Sequence, residues 1–172
     1  MLGPEPSDTT VRRTLELADS RTLGKIARVR ARVRAHVWEL IAATPAGFPW
    51  LSIAGKVLEG WLVIDMDATL ITARSDKQGA APTYKKGFGF HPPGAWLANT
   101  AECVAMLLRP GNAGSNTVAD HIAVLAAAIA QIPGRMRCRL LVRVGGAGAS
   151  HELIGHLLSL ASPRRMVLFT CG

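Results

Sequence analysis

Cysteine is scarce. The three residues Cys103, Cys138 and Cys171 are odd in number and widely spaced, which excludes a disulfide scaffold and points to reduced thiols in a cytosolic compartment. Long apolar runs are missing too. The most apolar helical stretch, Ile122 to Ala130, is nine residues of mostly alanine, whereas a membrane span needs about 20. The opening Met1-Leu2-Gly3-Pro4-Glu5 has neither the basic nor the apolar region of a signal peptide. No internal repeat is visible. Acidic residues are in deficit: 12 Asp and Glu stand against 20 Lys and Arg, a net charge of +8.

What is present describes a globular chain. Its 172 residues are 49% hydrophobic and 19% charged, one domain's worth and enough for a real core. Up to Gly60 there are nine basic and six acidic residues, and beyond it eleven and six. The positive excess is therefore spread along the chain and not confined to a tail. Such a field suits a polyanionic partner, nucleic acid above all. Genome composition is the bland explanation of the same excess, because Arg, Ala and Gly are all abundant.

Asp8-Thr9-Thr10 can cap a short helix through Val11, Leu15 and Leu17. A longer helix is expected from Thr22 to Ala43, where Ile26, Val29, Val33, Val37 and Leu40 recur as one apolar stripe. Arg28, Arg30, Arg32 and Arg34 then spread over its outer face, either as a solvated face or as a phosphate-contacting one. Residues 44–60, with two prolines and three glycines, read as a linker. From Gly60 the pattern changes to strands at 61–66, about 87–97 and 102–108. A helix capped by Ser115 or Asn116 follows and stops at Pro133-Gly134. Then come a strand at 138–144, a helix opened by Ser150 and a strand at Met166 to Thr170. Three strands, helix, strand, helix, strand predicts an antiparallel meander followed by parallel crossovers. The ribonuclease H-like fold has this order, as do other mixed α/β folds.

Asp65 and Asp67, two residues apart at a strand end, are the best chemical signal. Charge on a buried strand needs a reason, and Mg²⁺, which takes one or two carboxylates and keeps waters, supplies one. Capping the next turn, or pairing with Arg74 or Lys77, is the structural alternative. Gly145-Gly146-Ala147-Gly148 lies between a strand and a helix, where a phosphate cradle would sit, but the full dinucleotide fingerprint is absent. His151 and His156 are five apart, about 140° around a helix, and so cannot share a zinc ion as an i,i+4 pair can. Lys85-Lys86 before Gly87-Phe88-Gly89-Phe90-His91 fits a surface that tracks a phosphate backbone, and equally an ordinary hairpin with aromatics turned inward. The polar loop Arg109 to Thr117 offers amides and hydroxyls to phosphates, or caps a helix.

Several strings together resemble the DDE transposases of bacterial insertion sequences, in particular the 1380-type insertion-sequence group. They are Val63-Ile64-Asp65-Met66-Asp67-Ala68-Thr69-Leu70, Ser75-Asp76-Lys77, Ala81 through Tyr84-Lys85-Lys86-Gly87-Phe88-Gly89-Phe90-His91-Pro92, Leu108-Arg109-Pro110-Gly111-Asn112-Ala113-Gly114-Ser115-Asn116-Thr117, Asp120-His121-Ile122, and Leu141-Val142-Arg143 through Gly148 to His151-Glu152. The resemblance runs from about Asp8 to the end. It implies a ribonuclease H-like core in which three acids hold two Mg²⁺ ions for phosphodiester cleavage and strand transfer. Asp67, in Asp67-Ala68-Thr69, matches the first acid, with Asp65 as the alternative. The second acid's place is taken by Gly145, and the third would lie beyond Gly172. Glu152 is at least a helical turn past the missing position.

The expectation is therefore an α/β chain: a helical segment at 1–45, a linker at 46–60, and an incomplete, ribonuclease H-like DDE domain at 61–172, truncated and degenerate. Asp67 is the remnant metal ligand. Lys85, Lys86, Arg109, Asn112, Ser115, Asn116 and Arg143 are the DNA-contacting set. DNA is the expected partner, with a transposase homo-oligomer as a further possibility, in a cytoplasmic, nucleoid-associated location. The alternatives are a non-catalytic DNA- or transposase-binding protein, and a nucleotide-binding α/β domain using the glycine loop. A sheet parallel throughout would favour the last.

Overall fold

The computed structural model describes residues 5–73, 77–114, 117–145 and 150–171. Helix α1 spans Asp8–Glu16 and α2 spans Ser20–Ala42. Each is capped one residue earlier than its first turn, by Ser7 accepting from the Thr10 amide and by Asp19 accepting from the Thr22 amide. A hairpin of β1 (Ser52–Ile53) and β2 (Lys56–Val57) follows, inside the stretch read as a linker. Its turn residues Ala54 and Gly55 both have positive φ, the conformation a tight two-residue hairpin turn requires.

The remaining elements are β3 (Leu62–Ala68), β4 (Ile71–Thr72), β5 (Ala81–Pro82), β6 (Phe88–Phe90), β7 (Pro93–Leu97), β8 (Glu102–Met106), α3 (Val118–Gln131), β9 (Arg139–Val144), α4 (His151–Ser159) and β10 (Met166–Cys171). Five of them build the main sheet, in the order β10-β9-β3-β7-β8. Strand β7 is antiparallel to β3 and β8 is antiparallel to β7, while β9 runs parallel to β3 and β10 parallel to β9. This is the expected meander followed by parallel crossovers, and not a sheet parallel throughout.

The expected strand at 87–97 is two strands. Phe88–Phe90 joins β4 and β5 in a separate three-stranded sheet, and the main-sheet strand begins at Pro93. Pro92 and Pro93 have no amide hydrogen to donate, so the ladder cannot run through them, and proline is tolerated only at the first position of the new strand. Helix α3 opens at Thr117, not at Ser115 or Asn116, which lie outside the described residues. Helix α4 is capped by Ser150, whose hydroxyl accepts from the Leu153 amide.

Alternation along the strands sends Leu62, Ile64 and Met66, Ala95 and Leu97, and Leu140, Val142 and Val144 to one face. Against them pack Val124, Leu125, Ala128 and Ile129 of α3 and Leu153 and Leu157 of α4, forming the core. The opposite face carries Asp65, Trp96, Leu141, Arg143 and Leu168, none of them buried, together with Val63, which is fully buried.

Helix α2 departs from its expected orientation. Its buried residues are Arg34 and Trp38, while Ile26, Val29, Val33, Val37 and Leu40 are all exposed. Trp38 sits edge-on to Phe48, which stacks obliquely on Trp50, and this brings residues 48–50 onto the core. The Arg34 guanidinium donates to Glu102 of β8 at 2.6 Å and to the Gln131 side chain at the end of α3 at 2.7 Å. A partnered guanidinium with a tryptophan outcompetes the valine stripe for the interior. Among the described residues no helix is long and apolar enough to cross a membrane.

Candidate functional site

Strand β3 ends in the two carboxylates, and the structure gives them different surroundings. Asp65 lies opposite Arg143 in the β3–β9 register. The guanidinium grips it with both arms, Nε to Oδ1 at 2.5 Å and the second nitrogen to Oδ2 at 2.7 Å. This fork-to-fork pair satisfies the charge. Its hydrogen bonds to Asp65 outweigh partial burial and raise the Arg143 pKa above the usual arginine value. Lys77, one of the two partners that the sequence suggested for a structural pairing, is not the partner of Asp65, and the other, Arg74, lies outside the described residues. Arg143 is half-exposed but engaged, so its role here is that of a counter-ion before that of a phosphate ligand.

Asp67, two residues on, is exposed at the strand end. Its Oδ1 accepts from the Ala68 amide at 2.8 Å. Gly145 is its neighbour on β9: the Gly145 amide donates to the Met66 carbonyl at 3.2 Å, continuing the ladder. A Cβ built on Gly145 would stand 3.1 Å from Asp67 Oδ1. A side chain at 145 would therefore begin in contact with the Asp67 carboxylate. Glycine supplies none.

The basic and polar loops gather on the small sheet beyond this same end of β3. Lys85 and Lys86 are exposed in the turn between β5 and β6, closed by the Lys86 amide donating to Thr83 and by the Gly87 amide donating to the Thr83 hydroxyl. The Lys85 ammonium lies 5.8 Å from the centre of the Tyr84 ring, within cation–π range. The loop after β8 is fastened alongside. Phe90 bridges to Pro110, the His91 amide donates to the Arg109 carbonyl, and His91 Nδ1 is 3.1 Å from the Ala113 carbonyl. Asn112 is exposed in this loop.

Arg109 does not fit the expectation that it is offered to DNA. It is 5% exposed, and its guanidinium donates to the His91 and Gly114 carbonyls and to Asp120 of α3, each at 3.0 Å. It is the bolt that ties the loop and the small sheet to the start of α3. The sequence signal was there in Asp120, eleven residues on, but spacing alone does not reveal a pairing across a loop. Ser115, Asn116, Gly146, Ala147 and Gly148 lie outside the described residues.

Two divalent cations held a few ångströms apart need several anionic ligands to offset their repulsion. Among the described residues no group of three or more His, Cys, Asp or Glu side chains converges. With Asp65 tied to Arg143 and glycine at 145, Asp67 stands as a lone carboxylate among the described residues, and these residues do not fit a two-metal site.

The chain has no significant match among curated proteins or solved structures. The family model described as transposase DDE domain group 1 matches residues 6–161, helix α1 through α4. Meander, crossovers and an acidic strand end thus coincide with a match over most of the sequence, and the chain belongs to the transposase DDE domain group 1 family.

Proposed function

We propose that this chain is a degenerate DDE transposase domain of the 1380-type group that binds DNA without cutting or joining it. The observation that carries the catalytic half is the pairing of Asp67 with Gly145, whose Cβ position lies within 3.1 Å of the carboxylate. The second ligand of a metal pair belongs there, and a hydrogen atom occupies it. In this reading the five-stranded sheet is an incomplete ribonuclease H-like core, supported by its strand order and parallel crossovers. Residues 61–172 carry it. Residues 1–45 and 46–60 are a helical segment and connector, docked through Arg34, Trp38 and Phe48. Mg²⁺ is the ion of the family's chemistry.

The binding half rests on the net charge of +8 and on exposed Lys85, Lys86 and Asn112. Helix α2 adds Arg21, Lys25, Arg28 and Arg32, exposed and spaced four, three and four apart, so that they share one face. This stripe favours a non-catalytic DNA-binding protein as the working description. Binding of this kind releases counterions and weakens steeply with salt. A nucleoid-associated, cytoplasmic setting follows from that partner.

The test is the purified chain with supercoiled plasmid and Mg²⁺ or Mn²⁺. The expected result is retardation at low salt, lost at high salt and weakened by Lys85→Ala/Lys86→Ala, with no nicking above that of Asp67→Ala. Nicking by the unaltered chain that disappears in Asp67→Ala would overturn the reading. Gly145→Asp is the complement. It places a second carboxylate beside Asp67, lowering the melting temperature in chelator and restoring it by a few °C in millimolar Mn²⁺, a linkage effect that the unaltered chain lacks. It does not restore cleavage.

A further inference from the structure

The exposed stripe of α2 has a regularity that solvent does not require. Leu23, Ile26, Arg30, Val33, Val37 and Leu40 follow one another at intervals of three, four, three, four and three. That is the spacing of the contact seam between two helices. The five aliphatic members are 41–57% exposed, and Val29 beside them is 47% exposed. Packing within the chain uses a different face, that of Arg34 and Trp38. The basic stripe of Arg21, Lys25, Arg28 and Arg32 is different again, roughly 140° around the helix from the seam.

We propose that this seam is a homodimer interface, in which α2 of one copy lies antiparallel against α2 of a second. The seam is complementary to itself only in that sense. Reversed about its midpoint, it sets Leu23 over Leu40, Ile26 over Val37 and Arg30 over Val33. A parallel arrangement would stack Arg30 on Arg30. The guanidinium of Arg30 already leaves the seam, donating to the Cys103 carbonyl of β8 at 3.2 Å, so only its aliphatic stem remains in line. Antiparallel packing also opposes the two helix dipoles and leaves the basic stripes pointing away from the contact.

The size is sufficient. About half of each of six aliphatic side chains is available per copy, so closing two copies removes roughly 1,000 Å² in total, the lower bound for a specific interface. The seam floors a groove of about 300 Å³ shared with Arg34 and Glu102, which adds a polar rim. A membrane surface or an acidic amphipathic helix is the competing occupant. Neither explains why the spacing and the reversed sequence match.

The experiment is sedimentation equilibrium of the whole chain across a concentration series, beside Val33→Glu and Val33→Glu/Val37→Glu. Both positions are exposed, so the variants keep the far-ultraviolet circular dichroism and melting temperature of a folded monomer. The unaltered chain is expected to sediment as a dimer, and Val33→Glu to raise its dissociation constant at least about tenfold by stranding a carboxylate in the contact. Mixing Ile26→Cys chains with Val37→Cys chains under oxidation should give a cross-linked pair in excess of that from either alone. A chain monomeric at all concentrations would overturn the proposal. So would a dimer that Val33→Glu leaves intact, or equal cross-linking of Ile26→Cys with itself.

Discussion

Arg34 is a basic residue whose side chain is 6% exposed, and Glu102 is its principal anchor at 2.6 Å. Burial pushes the Glu102 carboxyl up, but hydrogen bonds from Arg34 and Trp38, with the charge of Arg34, outweigh it, and its pKa lies below the usual glutamate value. The folded state thus holds the deprotonated form more tightly than the unfolded chain does. That stability is fully present above the unfolded pKa, near 4.5, and is lost as pH falls through the folded value. Glu102→Ala should cost about 3 kcal/mol at neutral pH, because it strands a buried guanidinium. Arg34→Met should cost less, since the released Glu102 is one-third exposed and can hydrate. Urea denaturation at pH 7 and pH 3.5 checks both, and the unaltered chain should lose more of its advantage over Glu102→Ala as the pH drops. None of this was legible in the sequence. Arg34 and Glu102 are 68 positions apart, and periodicity reports that a stripe exists without saying which stripe the tertiary fold will bury.

At the scale of elements the sequence was more informative. The main strands and both later helices were readable because apolar runs are bounded by Gly, Pro and capping residues, as at Pro110-Gly111, Pro133-Gly134 and Ser150. The small sheet was not readable. Its strands are two or three residues long, too short for alternation to register. It depends on Gly89, whose φ of 154° and whose closeness to the Ile71 carbonyl leave no room for a Cβ. Gly89→Ala should therefore unpair β4 from β6 at a cost of about 2 kcal/mol or more. Hydrogen exchange should show faster exchange at Ala73, whose amide donates to the Phe88 carbonyl, with the core strands unchanged. The same logic covers the candidate site. Asp67 was legible as an acid at a strand end, whereas Gly145 as its neighbour came from the resemblance, which puts the place of the second acid beside the first. The Asp65–Arg143 pair needed the register, which only the folded sheet supplies.

On the scale of the whole molecule, the charge surplus is carried by loops and by one helix face, while the sheet is left asymmetrical. One face is filled by α3 and α4, and the other shows Trp96, Leu141 and Leu168 beside an ion pair. Among the described residues, strand β10 forms one border of that sheet and pairs on one side only, with β9. Its residues, Met166-Val167-Leu168-Phe169-Thr170-Cys171, contain no charge and no proline. Such a segment is a template for the strand of another molecule, in the manner of cross-β growth, and Arg164 and Arg165 immediately before it act as gatekeepers. Concentrated solutions of the protein should accordingly form thioflavin-positive aggregates from the native state. Leu168→Lys, at a position 50% exposed, should suppress them without lowering the melting temperature. A bare border strand thus makes colloidal lifetime, measured in days of storage, a property separate from folding stability.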